Sequence, residues 1–477
     1  MFDLLGVILL GYILLLGIIL NRLLEKTWIT PPFLLVAWVG IFIFGDAIYM
    51  LFSKDYGPGE FERFSLNSNE VGIVSVIWSS ALISFYIFYF LSRSNAKKLF
   101  NKKLLRFKYQ ITNLGGARFI LVISFIISLC ALIYLILNAF SLGYSLSQVT
   151  NLRNKWFSDG GGILLTFIQS FKYALLLYIY IYFLNKKESK KILILLVLIT
   201  LSIDLFLGTR SSFIYGFLLP LLIVTNNIYK KIRLNQLLVI SVIIVITIGL
   251  VYRTISRDQF FQSNLHQSIS EILIKNMQSF PKFFWGGFEA SSLDGAIDII
   301  RKYPQEAEFL NGLTLVSGLV SPVPRIIWEN KPRGGANYIY TNTFYPTFYG
   351  QIRSEYSVSF LGELYMNFGI IGVWLGFGIF GLFMGFLYNF LIIKGRESIF
   401  ILIYSVVVSR TYSLLRGDLY NFISQLFISI LNLLVILSIY LILCNFFLKG
   451  KFFDSKSSLE SSINRESIIK GRIAKID

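Results

Sequence analysis

The sequence predicts an all-α polytopic membrane protein with about eleven transmembrane helices and one large extracytoplasmic loop that forms a small cap. The 477 residues are 55% hydrophobic and 17% aromatic, with a mean hydropathy of +0.67. The apolar residues are gathered into runs close to the ~20 residues that a membrane-spanning helix needs. These runs are too long for barrel strands, so helices must satisfy the backbone hydrogen bonds in lipid.

The apolar runs predict the spans in order, beginning with "LLGVILLGYILLLGIIL". No basic residue precedes this run and no small-residue cleavage site follows it, so we expect a retained span rather than a signal peptide. Residues 1–252 hold eight predicted helices, residues 369–446 hold three more, and residues 447–477 form a polar cytoplasmic tail. The predicted spans cover residues 4–20, 32–52, 71–91, 119–140, 163–184, 192–208, 212–228, 236–252, 369–393, 398–410 and 419–446.

Lysine and arginine are concentrated in alternate connecting segments, such as "LSRSNAKKLFNKKLLRFKYQ", "NKKESKK" and "YKKIR". The segments between them are acidic or nearly neutral. Because a Lys and Arg excess marks cytoplasmic loops, we expect the N-terminus outside and the C-terminus in the cytoplasm. The formal charge of +18 is therefore an orientation signal, and nucleic acid is not an expected partner.

Residues 253–368 form the one long segment without a predicted span, and by parity this segment lies outside. It is rich in proline, glycine and aromatic residues, which is typical of a small folded cap. The aromatic cluster "NYIYTNTFYPTFYG" within it has two open interpretations. Its rings could stack on sugars, or they could pack the cap and the membrane interface.

Arginines and lysines also recur on the predicted outer side, against the orientation rule. Arg210 lies in the short turn "GTRSS" between two apolar runs, where it either snorkels to the interface or faces an anion in a cavity. Arg410 and Arg416 bracket a predicted outer turn, "RTYSLLRGD". The candidate anion-binding residues are Arg210, Arg253, Arg257, Arg325, Lys331, Arg333, Arg410 and Arg416. Guanidinium groups suit phosphate oxygens, so we expect a phosphate or pyrophosphate ligand at the outer boundary of the membrane.

Three residues are candidate general bases. Glu363, just before the ninth predicted span, either accepts a proton from a sugar hydroxyl or forms a salt bridge to an arginine. His266 is the only histidine, and a histidine in a polar loop is either a proton acceptor or incidental. Asp418, beside Arg416, is the third candidate, and we expect it rather to be an ion-pair partner. Cys130 and Cys444 lack metal-ligand spacing, so no metal site is expected.

Four segments together resemble the Wzy-type oligosaccharide repeat-unit polymerases, also called O-antigen polymerases. They are "GTRSS", "SPVPRIIWENKP", "GELYMNFGIIGVWLGF" and "RTYSLLRGD". The resemblance covers most of the chain from about Ile192 to Asp418, together with the span pattern. It implies polymerisation of undecaprenyl-pyrophosphate-linked repeat units into O-antigen, capsule or another surface polysaccharide.

The resemblance also implies how this reaction proceeds. Glycosyl transfer occurs at the outer face of the plasma membrane without a metal or other cofactor, and Arg210, Arg325, Lys331, Arg333, Arg410 and Arg416 hold the pyrophosphates. Glu363 matches the "GE" position of the family, whereas His266 matches no family position. The bilayer, the lipid-linked oligosaccharide and the chain-length regulator and flippase of the same pathway are the implied partners.

Two other classes remain open on the sequence. An O-antigen ligase or another lipid-linked-sugar glycosyltransferase would share a basic outer crevice and would differ in its acceptor. A lipid-linked oligosaccharide flippase or transporter would commonly show halves related by an internal repeat, which is not seen here.

Overall fold

The computed structural model describes residues 2–25, 29–53, 68–99, 114–141, 143, 162–185, 190–207, 210–229, 292–325, 327–332, 334–347, 355–394 and 399–443. Within these ranges the protein is helical and contains no strand. The helices are α1 (Phe2–Leu24), α2 (Pro31–Val39), α3 (Gly45–Ser53), α4 (Ser68–Leu99), α5 (Leu114–Ser141), α6 (Gly162–Asn185), α7 (Lys190–Phe206), α8 (Arg210–Phe213), α9 (Leu219–Tyr229), α10 (Ser292–Lys302), α11 (Leu313–Leu319), α12 (Ala336–Phe344), α13 (Ser359–Lys394), α14 (Phe400–Arg416) and α15 (Leu419–Leu443). Short π-helical turns join α2 to α3 (Gly40–Phe44) and α8 to α9 (Ile214–Leu218).

Seven described helices are long and apolar enough to cross a membrane, which confirms the prediction of a multi-pass helical protein. They cover Leu4–Leu24, Pro31–Phe52, Asn69–Ser94, Leu114–Ser141, Leu164–Tyr182, Ser359–Ile392 and Leu419–Leu443. Two predicted spans, 192–208 and 212–228, correspond to the shorter apolar helices Leu195–Asp204 and Ile214–Asn226. The predicted span 236–252 lies outside the described residues, and the total of eleven stays a prediction.

Helix α13 begins at Ser359, well before the predicted start of the ninth span at residue 369. The backbone leaves helical geometry at Phe368 and Gly369, and then the helix continues. Gly369 has φ of +64°, a left-handed conformation that favours glycine. The predicted boundary therefore falls at this kink, and Glu363 lies within a helix rather than in the preceding segment.

Structural contacts divide the chain into two units, of which the first contains Met1–Gln110 and Leu198–Ile430. In this unit α4 and α13 pack closely because small residues let their backbones approach. A Cβ added to Gly381 would stand 2.4 Å from the Phe85 carbonyl oxygen. Polar groups bond across the same interface: the Ser84 hydroxyl donates to the Trp374 carbonyl at 2.7 Å, and Arg93 donates to Asn389 Oδ1 at 2.6 Å.

The second unit contains Ile111–Val197 and Leu431–Asp477. Its described helices include the packed pair α5 and α6. The Ser128 hydroxyl donates to the Ile168 carbonyl at 2.9 Å, and the rings of Phe125 and Phe171 lie 5.2 Å apart. A hydrogen bond and aromatic packing together join these two apolar helices.

The described part of segment 253–368 has a small hydrophobic core of its own, formed by Ile299, Tyr303, Ala336, Tyr340, Tyr356, Val358 and Met366. At the edge of this core Asp298 accepts hydrogen bonds from the Tyr340 and Tyr345 hydroxyls. The same carboxylate forms an ion pair with Lys302, whose Nζ lies 3.0 Å away. Of the two interpretations of the cluster "NYIYTNTFYPTFYG", protein packing fits Tyr340, Phe344 and Tyr345, which contact this core. The core gives α10, α12 and the start of α13 a fixed arrangement.

Candidate functional site

A cavity of about 240 Å³ lies where α12, the segment before α13, α14, α15 and the π-helical turn at Ile214–Leu218 meet. Polar, aromatic and charged residues dominate its wall. It is lined by Tyr215, Asn337, Glu355, Ser357, Arg410, Tyr412, Ser413, Arg416, Gly417, Asn421 and Gln425. The cavity thus brings together Arg410 and Arg416, two of the predicted anion-binding residues.

Both arginines lie on helix α14, and this corrects the prediction that they bracket a turn. The segment "RTYSLLR" is helical, and the chain turns only at Gly417 and Asp418. Hydroxyl side chains in this stretch bond back to helix carbonyls: Thr411 donates to Val408 at 2.7 Å, and Ser413 donates to Arg410 at 2.7 Å. Back-bonding lets polar residues sit inside a helix, where their composition suggested a turn.

The guanidinium of Arg410 is held in place by neighbouring side chains. Its side chain is only 7% exposed, its Nε donates to Ser429 Oγ at 2.9 Å, and its Nη1 donates to Gln425 Oε1 at 3.3 Å. On another side it lies against Gly216, where an added Cβ would stand 3.0 Å from Arg410 Nη2. The positive charge is therefore fixed before any ligand binds.

Two stacked tyrosines form another part of the wall. The rings of Tyr215 and Tyr412 lie 3.5 Å apart and nearly parallel, at 8°. Tyr215 lies in the π-helical turn, a feature often found at functional sites. The Tyr412 hydroxyl accepts a hydrogen bond from Arg416 Nη1 at 2.7 Å, so the aromatic pair also positions the second guanidinium.

The segment from Glu355 to Val358, which has no regular secondary structure, is fixed on both sides. The Tyr356 amide donates to Thr341 Oγ1 at 2.8 Å, and the Val358 amide donates to Asn337 Oδ1 at 3.0 Å. On the other side the Ser357 hydroxyl donates to the Arg416 carbonyl. The segment therefore links α12 to the end of α14 and forms one wall of the cavity.

Asp418 and Glu363 meet the N-terminus of α15. Asp418 Oδ1 accepts from the Asn421 amide at 2.8 Å, which is the bond of a helix N-cap, and its Oδ2 accepts from the Asn337 amide at 2.9 Å. Glu363 is fully buried, and its Oε2 accepts from the Leu419 amide at 2.7 Å. Carboxylates at this position satisfy the free amides and the positive end of the helix dipole.

Burial raises the pKa of Asp418, while hydrogen bonds from the amides of Asn421 and Asn337 oppose the rise. Asp418 was expected to pair with Arg416. The carboxylate instead accepts hydrogen bonds from the amides of Asn337 and Asn421, which makes Asp418 a structural cap at the start of α15.

Arg325 and Lys331 lie together in the loop "SPVPRIIWENKP" and bond to carbonyl oxygens of that loop. Arg325 Nη1 donates to the Lys331 carbonyl at 3.0 Å, and Lys331 Nζ donates to Ser321 and Val323 carbonyls at 2.9 Å each. Burial lowers the pKa of Lys331, and the Arg325 guanidinium adds to the shift. Neither residue lines the cavity, so these contacts fix the loop.

Arg210 begins helix α8, directly before the π-helical turn that carries Tyr215. Its backbone is described, and its side chain is not. The other predicted candidates Arg253, Arg257, His266 and Arg333 lie outside the described residues.

The candidates predicted from the sequence do not include Tyr215, Tyr412, Glu355 and Gln425 of the cavity wall. One signal for Glu355 was available, because "EYSV" alternates polar and apolar residues as an extended segment with one buried face does. The stacking of Tyr215 on Tyr412 joins positions distant in sequence and leaves no local pattern.

A protein-family model described as "O-antigen polysaccharide polymerase Wzy" matches residues 2–451. This match confirms the resemblance seen in the four segments and extends it over the first third of the chain. No curated protein and no solved structure matches the chain significantly.

Proposed function

The chain belongs to the O-antigen polysaccharide polymerase Wzy family, since the family model spans residues 2–451, and from this we propose a specific reaction and site. The protein joins undecaprenyl-pyrophosphate-linked oligosaccharide repeat units into a surface polysaccharide. Transfer takes place at the outer face of the bacterial plasma membrane. The growing glycan leaves its pyrophosphate and joins the terminal sugar of a new repeat unit.

The observation that carries this proposal is the cavity with Arg410 and Arg416 in its wall. A glycosyl pyrophosphate leaves with negative charge on its oxygens, and guanidinium groups bind such oxygens well. Cations fixed before the reaction stabilise this charge without reorganising during it. Hydrogen bonds from Arg410 to Ser429 and Gln425, and from Arg416 to Tyr412, provide that fixation. No metal ion is needed for this role.

The aromatic part of the wall suits the sugar part of the substrate. Tyr215 and Tyr412 combine apolar ring surface with hydroxyl groups, as sugar rings combine apolar faces with hydroxyls. Holding two lipid-linked sugars beside one anion site also gains from proximity and orientation. We therefore assign the pyrophosphate to the arginines and a neighbouring sugar to the tyrosine pair.

Arg210 is the third proposed pyrophosphate contact. Tyr215 follows it by five positions, a rise of roughly 7–8 Å along a helix, so its helix leads directly to the cavity. For Arg325 and Lys331 the hydrogen bonds support a role in holding the loop. Roles for Arg253, Arg257, Arg333 and His266 stay predictions from the sequence.

Deletion of the gene in its host, followed by a gel of surface glycan, tests the function. We expect single repeat units in place of long chains, and restoration of long chains by a plasmid copy of the wild type. A plasmid copy carrying Arg416→Ala should restore neither long chains nor the normal length distribution, at equal protein abundance. Loss of all surface glycan, including the one-unit form, would instead indicate a ligase or a flippase.

A further inference from the structure

We propose that Glu355 is the general base of this polymerase, the group that takes the proton from the attacking hydroxyl of the acceptor sugar. The inference rests on the function proposed above and adds a residue to it. It places the proton acceptor on the cavity wall, beside the arginines assigned to the leaving pyrophosphate.

The backbone of the segment Glu355–Val358 directs Glu355 towards the cavity. Burial alternates from residue to residue along this segment, so successive side chains point to opposite sides. Tyr356 and Val358 point into the hydrophobic core, where they are 7% and 0% exposed. Glu355 and Ser357 therefore point the other way, and both line the cavity. Glu355 is exposed, as a group that must reach a substrate hydroxyl has to be.

The position of this segment is fixed. Amide donation from Tyr356 to Thr341 and from Val358 to Asn337 holds it against α12, and the Ser357 hydroxyl holds it against the last turn of α14. That turn carries Arg416. The segment that carries the Glu355 carboxylate is thus joined to the residue that carries the guanidinium by the hydrogen bond from the Ser357 hydroxyl to the Arg416 carbonyl. Two reactants can be held in a reactive orientation only if the base and the anion site keep a fixed separation.

Glu363 is placed differently. Its side chain is fully buried, one carboxylate oxygen accepts from the Leu419 amide at 2.7 Å, and it does not line the cavity. A general base must come within hydrogen-bond reach of the proton that it removes. The geometry favours Glu355 for that task and a positioning role at the start of α15 for Glu363.

The protonation equilibrium of Glu355 suits a base near neutral pH. The surface of Glu355 is accessible, but many protein atoms surround its carboxylate, and this partial desolvation raises its pKa to about 7. The negative charge of Asp418 adds to the rise. The charged and titratable groups around it are Asp418, Arg410, Arg416, Tyr412, Tyr215 and Tyr420. A base whose pKa lies close to the working pH combines a useful deprotonated fraction with proton affinity.

The transfer step moves the growing glycan from its pyrophosphate to the acceptor sugar. The acceptor hydroxyl oxygen forms a bond to the anomeric carbon of the growing glycan while its proton passes to the Glu355 carboxylate. The bond between that carbon and the pyrophosphate oxygen breaks, and its electron pair leaves with undecaprenyl pyrophosphate. Glu355 then returns the proton to solvent, and the glycan has gained one repeat unit.

The test uses the purified full-length protein in liposomes, with lipid-linked repeat units extracted from the gene-deletion strain. Initial rates of chain growth are measured from pH 5.5 to 9 for the wild type, Glu355→Gln, Glu355→Asp and Glu363→Gln. The wild-type rate should rise with pH through about 7, as the Glu355 carboxylate loses its proton. Glu355→Gln should be roughly 10²- to 10⁴-fold slower and lose this rise, whereas Glu355→Asp should keep a pH-dependent fraction of the rate. Glu308→Gln is the matched control, because Glu308 is exposed and does not line the cavity.

Three outcomes are informative. A Glu355→Gln protein that keeps the wild-type rate and pH profile would overturn the proposal while leaving the polymerase function intact. Loss of the pH-dependent rise in Glu363→Gln, and not in Glu355→Gln, would assign the base to Glu363. A wild-type protein that never extends the repeat units would refute the proposed function itself, and the role of Glu355 with it.

Discussion

Hydrogen bonds to side chains hold both arginines of the cavity in place. Arg410 bonds to a serine and a glutamine, and Arg416 bonds to a tyrosine hydroxyl. These bonds to uncharged acceptors orient a guanidinium without themselves neutralising its charge. Elsewhere in the described residues Arg93 and Arg301 have carboxylate partners, Glu25 and Glu70, which suits a structural role.

Arg210 gives a prediction at the scale of a single residue. If it contacts a pyrophosphate oxygen, Arg210→Ala should remove long-chain glycan while the protein inserts at normal levels. One charge-assisted hydrogen bond contributes about 1.5–3 kcal/mol, and about 1.4 kcal/mol corresponds to a factor of ten in rate. Transfer should therefore slow by roughly ten- to a hundredfold or more.

Arg210→Lys is the matched variant, because it keeps the charge and loses the planar two-pronged donor. We expect it to retain part of the activity, measured as chain length on a glycan gel at equal protein abundance. If Arg210 only snorkels to the interface, the result should differ. Arg210→Lys should then be fully active, because lysine snorkels equally well, and Arg210→Ala should lose little activity. Near-normal chains in Arg210→Ala would make this residue a membrane anchor.

At the scale of elements, the site depends on close contact between α10 and the segment Glu355–Val358. A Cβ added to Gly295 of α10 would stand 2.2 Å from the Ser357 carbonyl oxygen, a backbone atom that cannot rotate away. Ser357 also bonds to the last turn of α14, so a shift of this segment would reach the cavity wall. Glycine at position 295 thus allows α10 to pack directly against the segment Glu355–Val358.

Gly295→Ala should accordingly lower both stability and activity. Overpacking of this kind costs about 1–3 kcal/mol, which predicts a lower Tm for the protein purified in detergent. Gly40→Ala is a suitable control, because its added Cβ would meet nothing closer than Leu14 at 3.9 Å. Equal Tm values for the two variants would show that α10 and the segment separate easily.

For the whole molecule, the proposed function requires the cavity to open on the outer side. The Lys and Arg asymmetry of the loops predicts that residues 253–368 are outside and that "NAKKLFNKKLLRFK" is cytoplasmic. The charges next to the spans predict this orientation, and labelling of introduced cysteines from one side of the membrane can measure it.

Single cysteines at Gln262 and Ala96, introduced after replacing Cys130 and Cys444 by serine, provide the measurement. A membrane-impermeant thiol reagent should label intact spheroplasts at Gln262 and label Ala96 only after lysis. The cysteine-free protein, if it still supports long chains, is the control for folding. Labelling of Ala96 alone would reverse the topology and move the site to the cytoplasmic side.

The sequence by itself determined the membrane class, the family, most of the span positions and two arginines of the cavity. These follow from local properties: an apolar run of about 20 residues must span as a helix, whatever surrounds it. Arg410 and Arg416 could be identified because positive charge at a predicted outer end violates a composition rule.

Only the tertiary structure decided which of the candidates share one cavity and which of two glutamates faces it. Glu355 and Glu363 are eight residues apart, and a difference in exposure separates their proposed roles. That exposure depends on α10, α12 and α14, which pack around the segment from distant parts of the chain. The same holds for Tyr215 and Tyr412, whose contact joins the turn after α8 to α14. The burial of a side chain depends on which residues pack around it in the folded protein, and a local sequence pattern does not specify those residues.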